Sequence, residues 1–175
     1  TVNGRQFNTL PGGKGANQAV AVARLGAPVS LIGKVGDDMM GRRYMEILGA
    51  EGVDARAVAV EPGASTGTAL IEVEAGGENR IILVPGANEG VNSVFIESRT
   101  GEINSCEIVL LQLEIPLEGV IRAAEMVKSA GHTVILDPAP AQPLPDNLLS
   151  LTDILTPNET EATTLTGQET ATPDG

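Results

Sequence analysis

Three apolar segments of this sequence run into acid or amide side chains. "EIVLLQL" is followed by Glu114, "TVIL" by Asp137, and "DILT" by Pro157 and Asn158, with Glu161 three residues further on. One such group after a strand is what a helix cap looks like. Three in succession, at one edge of a sheet, make a set of oxygen ligands and hydrogen-bond partners for a polar substrate. Far upstream, "LPGGKGANQAVAVARLGA", Leu10 to Ala27, places three glycines and a lysine before an alanine-rich segment. Glycine weakens a helix interior, so this crowding marks either a tight turn or a place where a ligand reaches the backbone.

The glycine segment fits neither common phosphate loop. A P-loop needs G-x-x-x-x-G-K-[ST], yet Asn8 stands at the first glycine position and Gly15 follows Lys14. The dinucleotide fingerprint G-x-G-x-x-G fails because Gln18 occupies its last position after Gly13 and Gly15. What remains is backbone without Cβ, one lysine, and Asn17, whose amide both donates and accepts. Such a loop suits a compact, hydroxyl-rich ligand, and a plain turn stays open beside that reading.

Asn158 and Glu161 also allow two readings. Their spacing matches a capping box in its Asn variant, the simpler account on spacing alone. Alternatively, an amide and a carboxylate beside a helix's positive end can orient a phosphate and hold a hydrated Mg²⁺, which keeps several of its waters. Asp37 and Asp38 are expected to cap the helix that follows them. His132 reads as a surface polar residue and Cys106 as inert, and no Cys/His spacing suggests zinc.

The elements that must hold these groups alternate. Helical spacing of Ala16, Ala19, Val20 and Ala23 predicts a helix over 14–25, with Gly26 at its end. A strand is expected over 29–34, then a helix over 39–50 capped by Asp38 and followed by Gly52. "TGTALIEVEAG" and "GENRIILVPGAN" form a hairpin around a Gly76-Gly77 turn, with Ile71 and Val73 on one face and Leu70 on the other. Greasy residues on both faces predict a hairpin that covers something or pairs with another subunit. Residues 107–113 read as a strand buried on both sides. A helix follows with Leu117, Val120, Ile121, Ala124 and Val127 on one face and Gly131 at its end. "TVILD" and "DILTP" are strands, "LPDNLLSL" a short helical turn, and "NETEATTLTG" opens a helix. Strands alternating with helices imply an α/β fold with a parallel sheet.

Composition limits the function classes. The 175 residues carry a net charge of −12, which argues against nucleic acid, since phosphate contacts draw on Lys and Arg. At 42% hydrophobic the sequence can build a core, with only 2% aromatic residues, so Val, Ile, Leu and Ala must fill it. No apolar run approaches the ~20 residues that span a bilayer, so no membrane role is expected. One cysteine permits no internal disulfide, and the expected compartment is the cytoplasm.

These motifs, in this order, resemble the ribokinase branch of the PfkB family of carbohydrate kinases. "GGKGANQAVAVARLGA" with "GKVGDDMMG" is similar to the family's first signature, and "TGTALIEV…GENRIILVPGAN" to its lid hairpin, at about 66–85. "LLQLEIPLE", "DPAPAQPLPDNLL" and "DILTPNETEATTLTG" resemble the ribose-specific members more than fructokinase or adenosine kinase. The resemblance covers the whole sequence and implies a ribokinase-like three-layer sandwich, with a parallel central sheet and a small β lid. It implies transfer of the γ-phosphate of ATP to the 5-hydroxyl of D-ribose. Gly12, Gly13, Lys14, Gly15, Ala16, Asn17 and Glu114 would bind the sugar, and Asn158 the nucleotide phosphates. Glu161 would order the shell of Mg²⁺ through water. A monovalent cation (K⁺) and a homodimer formed through the lid strands are implied too.

The family's catalytic base comes from a G-A-G-D segment, and the nearest match, Gly86-Ala87-Asn88-Glu89, falls in the lid region. Residues 1–175 are therefore expected to be a partial domain that lacks the family's first strand and its C-terminal catalytic segment. Alone, they are expected not to turn over. A non-catalytic sugar-binding module and a kinase of another sugar or nucleoside are the alternatives.

Overall fold

The segment after the glycines folds as helix α1, Lys14–Arg24, in a computed structural model that describes residues 5–74, 76 and 79–169. Ala16 and Ala19 point inward, and Gly26 at φ +86° takes the left-handed conformation that lets the chain leave the helix. Helix α2, Met39–Ala50, begins where expected: the Asp38 carboxylate accepts the Gly41 N–H at 2.7 Å. Leu48 of α2 closes a small core with Ala16, Ala19 and Val53.

Between these helices lies β1, Gly33–Gly36, which pairs in parallel with β2, Val58–Glu61, from Gly33 opposite Val58 to Gly36 opposite Glu61. The strand expected over 29–34 is thus displaced toward its C-terminal end. Its first residues make only one isolated bridge, Ser30 to Asp54. Apolar content marked the segment, but the partner strand sets the limits of the ladder. β2 itself was not foreseen, because four residues carry too little alternation to read.

Strands β3, Thr68–Val73, and β4, Asn79–Val84, form an antiparallel hairpin in which Leu70 faces Ile82 and Ile71 faces Ile81. All twelve of these residues are exposed, Ile82 to 60%. Of the expected Gly76-Gly77 turn, Gly77 lies outside the described residues. A 3-10 turn, Gly86–Gly90, and two short helices not anticipated from sequence, α3 (Ser93–Glu97) and α4 (Thr100–Asn104), lead back to the body. Five residues are too few to display a helical period, yet Phe95, Ile96 and Ile103 reach the core.

The second half alternates as predicted: β5 (Ile108–Leu111), α5 (Leu117–Ser129), β6 (Thr133–Leu136), α6 (Asp146–Leu151), β7 (Ile154–Leu155) and α7 (Glu159–Thr166). The three strands form a parallel sheet in the order β5-β6-β7, with Leu111 beside Leu136 and Leu136 beside Leu155. Among the described residues, the parallel strands therefore fall into two ladders of an α/β fold. Val120, Ala124, Val127, Val134, Leu136 and Leu148 are fully buried between α5, the sheet and α6. Each larger side chain there contributes about 1.5–3 kcal/mol through removal from water.

Two expectations need correction. β5 is not buried on both sides: Ile108 is 57% exposed and only Leu111 is buried, because β5 is an outer strand of its three-stranded ladder. His132 is half-buried rather than a surface group, and its Nδ1 is sequestered without a hydrogen-bond partner. Among the described residues no helix is long and apolar enough to cross a membrane.

Candidate active site

The glycine loop and the end of β5 meet directly. Gly13 sits at φ +92°, a conformation that side-chain-bearing residues rarely adopt, and turns the chain into α1. The turn presents the Lys14 N–H to Glu114 Oε2 at 2.7 Å, while the Asn17 N–H returns to the Gly13 carbonyl at 2.9 Å. From the other side, the Tyr44 hydroxyl of α2 donates to the Gly12 carbonyl. Burial, and secondarily the charge of Glu114, push the Tyr44 phenol above its ordinary range, so it stays a neutral donor. Gly12, Gly13 and Asn17 are exposed, Lys14, Gly15 and Glu114 half-buried. Ala16 differs from its neighbours: its side chain packs into the core with Leu48 and Val53, leaving only its backbone to the loop.

A chain of side-chain amides joins this loop to β6. The Gln112 amide donates to Gln18 Oε1, and Gln18 Nε2 donates to Asp137 Oδ2 at 3.0 Å. Gly15 is glycine for this reason: a Cβ there would lie 2.7 Å from Gln112 Oε1. Asp137 is the electrostatic centre of the arrangement. Burial raises its pKa above the ordinary value, Glu161 and Glu114 add to the rise, and Lys14 and the Gln18 hydrogen bond oppose it. The three strand ends singled out in the sequence therefore converge, with Glu114 and Glu161 both within electrostatic range of Asp137.

Asn158 and Glu161 form the capping box complete. The Glu161 N–H donates to Asn158 Oδ1 at 2.9 Å, and the Asn158 N–H donates to Glu161 Oε2 at 2.8 Å. The Asn158 side-chain amide also donates to Glu161 Oε1 at 2.8 Å. Glu161 is 6% exposed, the one buried charged side chain among the described residues, and Asn158 is exposed. The cap does not exhaust the pair, since each carboxylate oxygen accepts more than one hydrogen bond.

Asp137 and Glu161, two carboxylates within electrostatic range of one another beside a helix N-terminus, suit a hydrated divalent cation held through water. No three His, Cys, Asp or Glu side chains among the described residues are placed to ligate a metal directly. The Gly86–Glu89 segment lies in the 3-10 turn at the hairpin's root, where Ala87 is buried. A groove of about 380 Å³ between α1 and α2 borders Gly12, Asn17 and Glu51 but not Glu114, Asp137 or Glu161.

Tyr44, Gln18 and Gln112 were not singled out for roles in the sequence. Gln18 registered only as the residue that breaks a fingerprint, and Tyr44 gave no signal, because its partner lies 32 positions away.

Known proteins resemble this chain in sequence and in fold. The chain is 45% identical over 171 residues to a ribokinase of Haemophilus influenzae, covering 98% of this chain and 56% of that protein. It is 38% identical over 175 residues to a deoxyribokinase of Salmonella typhi, covering 99% and 57%. The solved structure of Arabidopsis thaliana ribokinase complexed with ribose and ATP superimposes with a TM-score of 0.92 at 39% identity, over 99% of this chain and 57% of that one. The chain thus spans about half the length of the relatives it matches. Because residues 1–175 as a whole also match the family pattern of the pfkB family carbohydrate kinases, the chain belongs to that family.

Proposed function

We propose that the protein phosphorylates D-ribose at its 5-hydroxyl with ATP as the phosphoryl donor, in the cytoplasm. The observation that carries this is the junction of the glycine loop with Glu114, 100 residues away, at 2.7 Å. One Glu114 oxygen is engaged by the Lys14 N–H, which leaves the other to accept hydrogen bonds from vicinal sugar hydroxyls. The exposed Gly12 and Gly13 let the sugar approach the main chain, and Asn17 adds an amide. The kinship with ribokinases, one of them solved with ribose and ATP, supports this assignment.

Phosphoryl transfer depends on positioning and on charge stabilisation more than on covalent steps. Asn158, at the N-terminus of α7, would orient nucleotide phosphates, aided by the helix's positive end. Glu161, buried and fixed by its cap, would hold waters of Mg²⁺. That ion, when bound, neutralises charge on the phosphates. K⁺ use is proposed for the full-length protein. The Gln112-Gln18 chain orients Asp137 between the sugar and phosphate sides, and Lys14 and the Gln18 hydrogen bond favour its ionised form against the burial that raises its pKa. The exposed hairpin covers the sugar, excludes water and pairs with a second copy of the chain.

The test is sugar-dependent ADP release by the full-length protein with ribose, 2-deoxyribose, fructose and adenosine. Turnover greatest with ribose supports the proposal, and greatest turnover with another substrate reassigns it. Ribose binding by calorimetry without turnover would make the protein a sugar-binding module instead.

A further inference from the structure

Two consecutive glycines leave the peptide between them without a steric preference. Neither Gly12 nor Gly13 carries a Cβ, so that plane can turn over, exchanging the directions of its carbonyl and its N–H, at little conformational cost. Packing does not choose between the two orientations. A Cβ on Gly12 would meet nothing within 4 Å, and one on Gly13 nothing nearer than Tyr44 Oη at 3.6 Å and Glu114 Oε2 at 3.9 Å. Yet the loop adopts one form, with Gly13 at φ +92°.

Hydrogen bonds hold the successive planes unequally. The Gly13–Lys14 peptide is fastened at both ends: its N–H donates to Glu114 Oε2 at 2.7 Å, and its carbonyl accepts the Asn17 N–H at 2.9 Å. The Gly12–Gly13 peptide is fastened at one end only, where its carbonyl accepts the Tyr44 hydroxyl. Its N–H meets no acceptor among the described residues, and Gly13 is exposed. The Tyr44 ring packs against the small core of Ala16, Ala19, Leu48 and Val53, so its hydroxyl reaches the loop from a set position.

The Gly12–Gly13 peptide is trans, so its N–H points opposite to its carbonyl. With the carbonyl turned to Tyr44, the Gly13 N–H is aimed away from that hydroxyl. The bond accepted at the carbonyl also polarises the plane and strengthens the N–H as a donor. We infer that Tyr44 is a positioning residue for the sugar: its hydroxyl selects the orientation of the Gly12–Gly13 peptide that offers the Gly13 N–H to a sugar oxygen. Tyr44 acts on the loop and not on the ligand. This rests on the sugar-kinase reading of the loop.

Nuclear magnetic resonance of the ¹⁵N-glycine-labelled full-length protein tests the first step without ligand. In Tyr44→Phe, which keeps the ring and loses the hydroxyl, the Gly13 amide resonance broadens through exchange between the two orientations, while Gly119 of α5 stays as sharp as in wild type. A Gly13 resonance as sharp as in wild type, or equal broadening at Gly119, overturns the selection. Titration calorimetry reads the second step. Tyr44→Phe weakens ribose binding by about threefold or more, the scale of one neutral hydrogen bond, with ATP affinity within about twofold of wild type. Unchanged ribose affinity beside a broadened Gly13 overturns the aiming of the N–H, and an equal loss for ATP overturns it too, as a general structural defect. Should wild-type protein bind no ribose, the sugar-kinase reading and the aiming fall together, whereas the Gly13 resonance still decides whether Tyr44 selects the peptide.

Discussion

The main-chain N–H of Lys14 and the side-chain carboxylate of Glu114 meet at 2.7 Å although 100 residues separate them. The bond fixes the glycine loop against the end of β5 and orients the carboxylate's remaining lone pairs. A hydrogen bond to a charged group contributes about 1.5–3 kcal/mol, or roughly 10- to 150-fold in affinity. Glu114→Ala should therefore weaken ribose binding at least tenfold with the ATP KM nearly unchanged, and Glu114→Gln, which keeps an acceptor, should lose less. Titration calorimetry with ribose checks this. Affinity within twofold of wild type in the alanine variant would remove Glu114 from the sugar site.

Asp137 yields a pH prediction. Burial, Glu161 and Glu114 raise its pKa in the folded protein, so the folded state binds the proton more tightly than the unfolded chain. Its ionised form then destabilises the fold at neutral pH, and the penalty fades as pH falls through the raised value toward the ordinary one. Asp137→Asn, which keeps an acceptor for Gln18, should raise Tm at pH 7 and lose the gain below about pH 4, near the unperturbed Asp value. On the proposed function, the same substitution should also lower phosphorylation, since it removes a charge from the place assigned between sugar and phosphates. Thermal melts from pH 3 to 8 decide the matter; a lower Tm at pH 7 would mean that Asp137 is a stabilising ion.

The sequence made the local chemistry of this site readable and its long-range chemistry much less so. The Asn158-Glu161 cap, the Asp38 cap and the hairpin follow from spacing, because their partners lie within a few residues. The convergence of Glu114, Asp137 and Glu161 followed from one rule about strand ends in α/β sheets. Tyr44, Gln18 and Gln112 act through partners 32 to 119 positions away, and no local pattern announces them. The displaced β1 and the overlooked β2 share that cause, as each strand's limits depend on the other.

Asp38 makes a second pH prediction, of opposite sign. The Thr66 hydroxyl, then the Thr66 and Gly41 N–H groups, lower its pKa from 3.8 to about 2. A depressed carboxylate contributes stability that is fully present above its ordinary pKa and is lost as pH falls through the folded value. Acidification from pH 4 to 2 should therefore loosen the Thr66 and Gly41 amides before the α5 core. Pulsed hydrogen exchange along an acid series reads the order directly. Simultaneous loss of both regions would show that Asp38 protonation does not initiate acid unfolding.

The hairpin gives the last prediction. Leu70, Ile71, Val73, Ile81, Ile82 and Leu83 are each more than half exposed, and they occupy both faces of a two-stranded ribbon. Single apolar residues on a surface are ordinary, but a contiguous two-faced set marks a contact surface. A ribbon with one face over the sugar and the other against a second copy accounts for both faces. Covering a single large apolar side chain contributes about 1.5–3 kcal/mol, so one charge placed there should shift a dimer equilibrium by tenfold or more. Leu70→Glu and Ile71→Glu lie on opposite faces and should separate the two roles. One should move the sedimentation profile toward monomer with the sugar KM little changed, and the other should raise the sugar KM while dimers persist. Sedimentation velocity across a hundredfold concentration range, run beside the kinetic assay, distinguishes them. A wild-type protein that stays monomeric throughout would leave the hairpin as a lid alone.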